Sequence, residues 1–262
     1  MPVITLLTDF GLGDGFVGVM KGVIWGICPH VQIADISHEI TPQDVLQGAY
    51  VLQRAYGFFP SGTVHLAVVD PGVGTGRRPL ALRAGEWFFV GPDNGLFTPV
   101  FEQAEEGGWR FEVIHLTESK YWLSHVSRTF HGRDIFAPVA AYLASGVPLE
   151  EFGSAIHDPM RIAISRAERT TSGWIAHILV IDRFGNLATD LLVQELTEPE
   201  KALIRIGGLE IRGITQTYGD HPPGSLIALT DSEGRLEVAL VNGSAAHLLG
   251  VKTGDSLEIS GK

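Results

Sequence analysis

The chain has 262 residues, 45% of them hydrophobic and 19% charged, with a formal net charge of −11; this excludes broad disorder, and a negative balance in both parts, −7 over residues 1–165 and −4 over residues 166–262, argues against a nucleic-acid partner. The single cysteine, Cys28 in "VIWGICPHV", excludes an intrachain disulfide, reads as a small buried hydrophobe, and points to a reducing cytoplasm. The start "MPVITLLTDFG" reads as a first strand rather than a signal peptide, and no apolar run approaches the ~18–20 residues of a membrane span.

In chain order, "VITLLTD" (3–9) is a continuous apolar run closed by a carboxylate, the pattern of a buried strand in an α/β sheet. "DGFVGVMKGVIWGI" (14–27) is expected to be a helix with an apolar stripe, and "VQIADIS" (31–37) a second strand. A helix is predicted over 41–59, with Thr41 as N-cap, Pro42 at the first helical position, and Val45, Ala49, Leu52 and Tyr56 on one face. "TVHLAVVD" (63–70) is a third buried strand. "PLALRA" (79–84) and "EWFFVG" (86–91) read as paired strands followed by a "PDNGL" turn. "GRDIFAPVAAYLASG" (132–146) is a further helix, stopped at Gly146-Val147-Pro148.

After residue 160 the texture changes. Short β-rich runs such as "SGWIAHILVIDRFGNLATDL", "ALIRIGGLEIRGI" and "SLIALTDSEGRLEVALVNG" alternate with glycine turns. The expected architecture is α/β: an N-terminal α/β/α layered domain with a mostly parallel sheet over 1–162, and a C-terminal antiparallel β-barrel-like domain over 170–262. The linker falls within "HDPMRIAISRAERTTSG".

Several segments carry candidate chemistry. "DFGLGDG" (9–15) lies where the first strand meets the first helix, the place where α/β sheets bind small molecules. Asp9 and Asp14 flank its glycines; they are either ligands for ribose hydroxyls or a cationic group, or a helix cap and a turn residue. The pattern matches neither G-x-G-x-x-G nor a Walker A loop. "DPGVGTGRR" puts Asp70 at another strand end and Arg77 and Arg78 seven and eight residues later. "TFHGRDIF" carries His131 before a helix start, with Asp134 in its first turn favouring the helix dipole and Arg133 free to pair with a neighbour. Asn186 and Asn242 follow strands and present amide edges that can pair with a heterocycle, or serve as ordinary turn residues. His38, His65, His131, Asp9, Asp70 and Asp93 all fall near strand ends or turns, but no HExxH, paired Cys/His or EF-hand spacing occurs, so the favoured reading has no metal and no cofactor.

The segments "TDFGLGD", "DISHEITPQDVLQGA", "VVDPGVGTGRR", "GPDNGL", "TFHGRDIFAPVAA", "IDRFGN" and "LVNGSAA", taken in this order, resemble the S-adenosyl-L-methionine (SAM) hydroxide adenosyltransferases, relatives of the fluorinases and chlorinases. The resemblance implies hydrolysis of SAM to adenosine and L-methionine by a homotrimer whose sites lie at subunit interfaces. It implies Asp70, Arg77 and His131 as the catalytic set, Arg77 being preferred to Arg78 by its seven-residue spacing from Asp70. It also implies Asp9 at the ribose hydroxyls, Asp14 and Asp182 near the methionine ammonium, and Asn186 with the backbone of Ser244 and Ala245 at the adenine edge. Tyr218 would stack on adenine, and Ser232 and Glu233 would lie toward the methionine end. Asp70 stands where the halogenating branch has tyrosine, Val73 where it has threonine and Gly132 where the fluorinase has serine; all three departures point away from halogenation. The competing readings are a metal-dependent hydrolase of a nucleoside or phosphorylated substrate, and a SAM- or adenosine-binding protein without catalysis.

Overall fold

The computed structural model describes residues 1–260 and divides into two units, Met1–Ala163 and Ile164–Lys262. In the first unit, strands β1 (Val3–Thr8), β2 (Gln32–Ser37), β3 (Val64–Val68), β4 (Pro79–Ala84), β5 (Trp87–Pro92), β6 (Phe111–Leu116) and β7 (Gly153–Ile156) form one sheet in the order β2-β1-β3-β5-β4-β6-β7. The pairs β1–β2, β1–β3 and β3–β5 are parallel, while β4 and β7 run against their neighbours. Five of the seven strands therefore point the same way.

The strands most deeply buried are those the sequence makes apolar on both faces: all five residues of β3 are buried, and so are five of the six in β1. Such strands need cover on both sides. Helices α1 (Phe16–Ile27) and α4 (Ala137–Ala144) supply it on one face, where Met20, Ile24, Val139 and Ala140 pack against Leu6 and Leu66. Helices α2 (Val45–Tyr56) and α3 (Thr98–Glu106) supply it on the other, where Leu52, Val100 and Phe101 join Leu7, Val69 and Phe89. Burying side chains of this size contributes roughly 1.5–3 kcal/mol each. The order 2-1-3 places a topological switch point between the C-terminal ends of β1 and β3, where an open α/β sheet leaves a crevice for ligands.

Two helix starts differ from expectation. Helix α2 begins at Val45, not at residue 41. Asp44 is its N-cap, accepting from Gln47 N at 2.9 Å, while Gln43 adopts a left-handed φ of 70° that no helix interior permits. The segment 132–146 is not one α-helix: Gly132–Phe136 form a π-turn, and α4 follows from Ala137 to Ala144. Cys28 is buried, as expected for a small hydrophobe.

The second unit contains β8 (Glu168–Arg169), β9 (Gly173–Ile181), β10 (Leu187–Leu192), β11 (Leu203–Ile206), β12 (Leu209–Arg212), β13 (Leu226–Thr230), β14 (Arg235–Leu240), the short helix α5 (Ala245–Leu249) and β15 (Ser256–Ser260). Its strands run in the order β12-β11-β15-β9-β10-β14-β13, antiparallel throughout, with β8 on β9. Thr215 N donates to Ala228 O at 2.8 Å, bringing the chain after β12 back to β13 so that the sheet nearly closes. Ile178, Leu187, Ile204, Leu236, Val238 and Leu257 fill the interior. Among the described residues, no helix is long and apolar enough to cross a membrane.

Candidate active site

Thr8 of β1 and Val68 of β3 are register partners. Asp9 follows Thr8 directly and Asp70 stands two residues beyond Val68, so both carboxylates emerge at the C-terminal ends of adjacent strands ~4.8 Å apart, one position out of register. Asp70 is held by Arg77: Nε donates to Oδ1 at 3.0 Å and to Oδ2 at 3.1 Å, and Nη2 closes on Oδ2 as well. The two side chains are only 5% and 7% exposed, which makes this a desolvated, fork-like ion pair. The guanidinium also lies over the Phe136 ring, 5.0 Å from its centroid, and its Nη1 is buried without a hydrogen-bond partner.

His131, at the entrance to the π-turn, brings Nδ1 to 3.2 Å from Arg77 Nη2. A guanidinium only donates, so Nδ1 accepts and the neutral ring carries its proton on Nε2. Burial, and then the Arg77 charge, hold the His131 pKa below its ordinary value; Asp70, Asp134 and a hydrogen bond to the Ser127 backbone pull weakly the other way. Arg78 does a different job. Its Nε donates to Asp93 at 2.7 Å and its Nη1 to Asp158 at 2.8 Å, so it ties the end of the loop to the β5 terminus. The choice between the adjacent arginines therefore has a visible basis: only Arg77 meets Asp70.

The loop itself is shaped by Gly74, at φ +77°. A Cβ there would fall 2.4 Å from the carbonyl oxygen of Arg128, so only glycine lets the 70–77 and 127–131 loops touch. Asp9 Oδ2 accepts from Gln43 N at 2.8 Å, which accounts for the left-handed turn before α2. Asp14 is exposed between two glycines at the α1 entrance. Phe10, Phe16 and Phe130 meet edge-to-face beside it, at centroid distances of 5.1–6.1 Å.

In the second unit, Asn186, Tyr218 and Asn242 line one cavity of about 490 Å³ together with Phe184, Leu240 and Gly243. Asp182 organises its floor: Oδ1 accepts from Phe184 N at 2.8 Å and Asn186 N at 2.9 Å, and Oδ2 from Asn186 Nδ2 at 3.0 Å. Tyr218 donates to Glu237 Oε1 at 2.5 Å; burial and that carboxylate drive the phenol pKa up, so the hydroxyl stays protonated. Ser244 caps α5, accepting from His247 N at 3.1 Å, and Ala245 is fully buried behind it. Gly185, at φ +84°, permits this junction, because a Cβ there would strike Ser244 Oγ at 2.0 Å. Ser232 and Glu233 are not brought to the cavity. They lie in the β13–β14 turn, at the end of that hairpin opposite Leu240.

The profile of the SAM hydroxide adenosyltransferase N-terminal domain matches residues 4–153, and that of the C-terminal domain matches residues 176–258. The chain belongs to the SAM hydroxide adenosyltransferase family. It is 42% identical over 261 residues to the (R)-S-adenosyl-L-methionine hydrolase of Salinispora tropica, covering 99% of this chain and 98% of that protein. It is 33% identical to a fluorinase of Actinoplanes sp. over 77% of this chain and 74% of that one. Its fold is similar to the crystal structure of an uncharacterized conserved protein from Thermotoga maritima, with a TM-score of 0.91, 37% identity, and coverage of 98% of this chain and all of that one.

Three residues that the sequence does not single out, Phe184, Glu237 and Ser127, stand beside the candidate residues of this adenosyltransferase, as does Asp134, which reads in the sequence only as a first-turn acid. Phe184 is 76% exposed beside the cavity, a position for a large apolar ring that folding alone does not explain. Glu237 looks like one more polar residue in a strand, yet it is buried against Tyr218. Ser127 and Asp134 lie beneath His131. The sequence does carry a signal for Phe184: an aromatic inside a glycine turn, "DRFGN". Among the described residues, no three His, Cys, Asp or Glu side chains converge as a metal site would require.

Proposed function

We propose that this protein hydrolyses SAM to adenosine and L-methionine, by attack of water or hydroxide on the ribose C5′ in line with the departing sulfonium. The observation that carries the reading is the Asp70–Arg77–His131 cluster at the switch point of the sheet. A new O–C5′ bond forms as the C5′–S bond breaks, methionine leaves as a neutral thioether, and the oxygen loses one proton. The leaving group needs no acid, so the difficulty lies in the nucleophile. Asp70 is the proton acceptor. Its carboxylate keeps lone pairs beyond those given to Arg77, whereas the His131 nitrogen facing the cluster is already occupied. Arg77 orients Asp70, and its remaining donor, Nη1, stabilises hydroxide character on the attacking oxygen. His131 serves as the third partner, fixing the guanidinium. Much of the acceleration comes from holding oxygen, carbon and sulfur in line.

For substrate binding, Asp9 takes the ribose hydroxyls and Asp14 the methionine ammonium. Asn186 and the backbone at Ser244 and Ala245 read the adenine edge, Asn242 lines the same cavity, and Tyr218 stacks on the base. Asp182 supports Asn186 rather than reaching outward, as both of its oxygens are engaged in the turn. The single cysteine supports a cytoplasmic enzyme, and the family resemblance supports a homotrimer with substrate at subunit interfaces. The test is incubation of purified protein with SAM, with and without chelator, and chromatography for adenosine and methionine. Equimolar products in both arms are expected. Absence of adenosine overturns the reading, and loss of activity with chelator favours the metal-dependent alternative.

A further inference from the structure

Asp134 is completely buried yet charged, and none of its hydrogen bonds goes to Asp70 or Arg77. Its carboxylate accepts from Ser127 N at 2.8 Å, Ser127 Oγ at 2.7 Å, Arg133 Nε at 2.5 Å and Arg133 Nη2 at 3.1 Å. Its main chain takes part too, the carbonyl accepting from Leu123 N at 2.9 Å. A buried carboxylate with four donors is costly to desolvate; two of them come from the neighbouring Arg133 and the other two tie down the 123–131 segment at Ser127. Ser127 Oγ passes the constraint on by accepting from Phe130 N at 3.0 Å, which fixes the residue directly before His131. The residue after Ser127, Arg128, presents the carbonyl oxygen that rests on Gly74 of the 70–77 loop. A π-turn, a rare form of helix found frequently at functional sites, places Asp134 three residues after His131.

We propose that Asp134 is a positioning residue for the reaction: through Ser127 it fixes the His131 ring and the seat of the Asp70–Arg77 loop. The proposal rests on the hydrolase reading above. The chain of contacts runs Arg133–Asp134–Ser127–Phe130, continues along the backbone to His131, and from there to Arg77 and Asp70, so a change at one end reaches the nucleophile's partner at the other. None of these contacts reaches Asp9 or the Asn186 cavity, and substrate affinity should be spared. Loss of fixed geometry on this scale costs on the order of 10–100-fold in rate.

The experiment compares Ser127→Ala, Ser127→Thr and Asp134→Asn with the parent. Turnover of SAM is counted per adenosine-binding site, the sites being titrated calorimetrically with adenosine, so that a misfolded fraction does not count. Ser127→Ala and Asp134→Asn are expected to lower kcat per site by about 10–100-fold, with KM and adenosine affinity within about twofold. Ser127→Thr, which keeps the hydroxyl, should recover most of the loss. Asp134→Asn leaves Arg133 short of a partner; if that variant does not fold, Ser127→Ala decides. The proposal is overturned by a Ser127→Ala enzyme with kcat near the parent's, by a rise in KM matching the fall in kcat, or by a threonine variant no better than alanine. A parent that makes no adenosine overturns it together with the hydrolase reading, and is recognised by the parent's own blank.

Discussion

The side chain on which most depends is Asp70. Asp70→Asn keeps the shape and can still face Arg77, but it cannot take a proton. The expected result is a fall in kcat of about 10²–10⁴-fold, with adenosine affinity nearly unchanged, read by steady-state kinetics and calorimetry. Full turnover in that variant would remove Asp70 from the mechanism. His131 sets the pH behaviour. Protonating it places an N–H on Nδ1 against the N–H of Arg77, so the cluster works only with the ring neutral. Because burial and Arg77 hold its pKa below the ordinary 6.5, kcat/KM should be flat through neutrality and fall as pH drops below that value. An acid limb centred above 6.5 would contradict the arrangement. The Asp70 charge also bears on halide: at 4 Å and an effective dielectric of 20, like charges repel by about 4 kcal/mol. Chloride should therefore yield little 5′-chloro-5′-deoxyadenosine, as product analysis in high chloride will show.

At the scale of elements, a second histidine matters for stability rather than chemistry. His65 of β3 is fully buried among Tyr56, Phe59 and Phe89, its Nδ1 2.8 Å from Thr5 Oγ1, and burial pushes its pKa down to about 3. Between about 3 and 6.5 the unfolded chain holds a proton that the folded chain rejects. Stability should therefore fall as pH drops from 6.5 toward 3, by about 1.4 kcal/mol per pH unit. Urea unfolding should show this slope in the parent and lose it in His65→Gln; identical slopes would refute it. The elements near the site are unevenly legible. Buried strands β1 and β3 announce themselves as apolar runs ended by Asp9 and Asp70. The start of α2 is not readable, because Thr41-Pro42 is itself a good capping signal. It loses to Asp44 once Gln43 turns left-handed to reach Asp9, a long-range bond that periodicity does not reveal. The π-turn escapes for the same reason: Asp134 reads as a first-turn acid until Ser127 arrives from another loop.

For the whole molecule, the two kinds of candidate residue separate cleanly by unit. Asp9, Asp70, Arg77 and His131 belong to the first, and Asn186, Tyr218 and Asn242 to the second. The α/β and β-rich halves are visible in composition and turn spacing, and the family pattern supplies the assignment of roles that no local pattern can. Light scattering should report the mass of a trimer. If each site draws on two copies, mixing an Asp70→Asn chain with an Asn186→Ala chain should restore part of the activity that each lacks alone. No recovery after verified subunit exchange would contradict shared sites.

The central claim, that solvent is aimed at C5′ by Asp70, is tested most directly by running the reaction in water enriched in heavy oxygen and weighing the adenosine formed. The expected result is one heavy oxygen per adenosine, at the 5′-hydroxyl, with methionine unlabelled and Asp70→Asn silent. Unlabelled adenosine, label in methionine, or an Asp70→Asn enzyme as fast as the parent would contradict it.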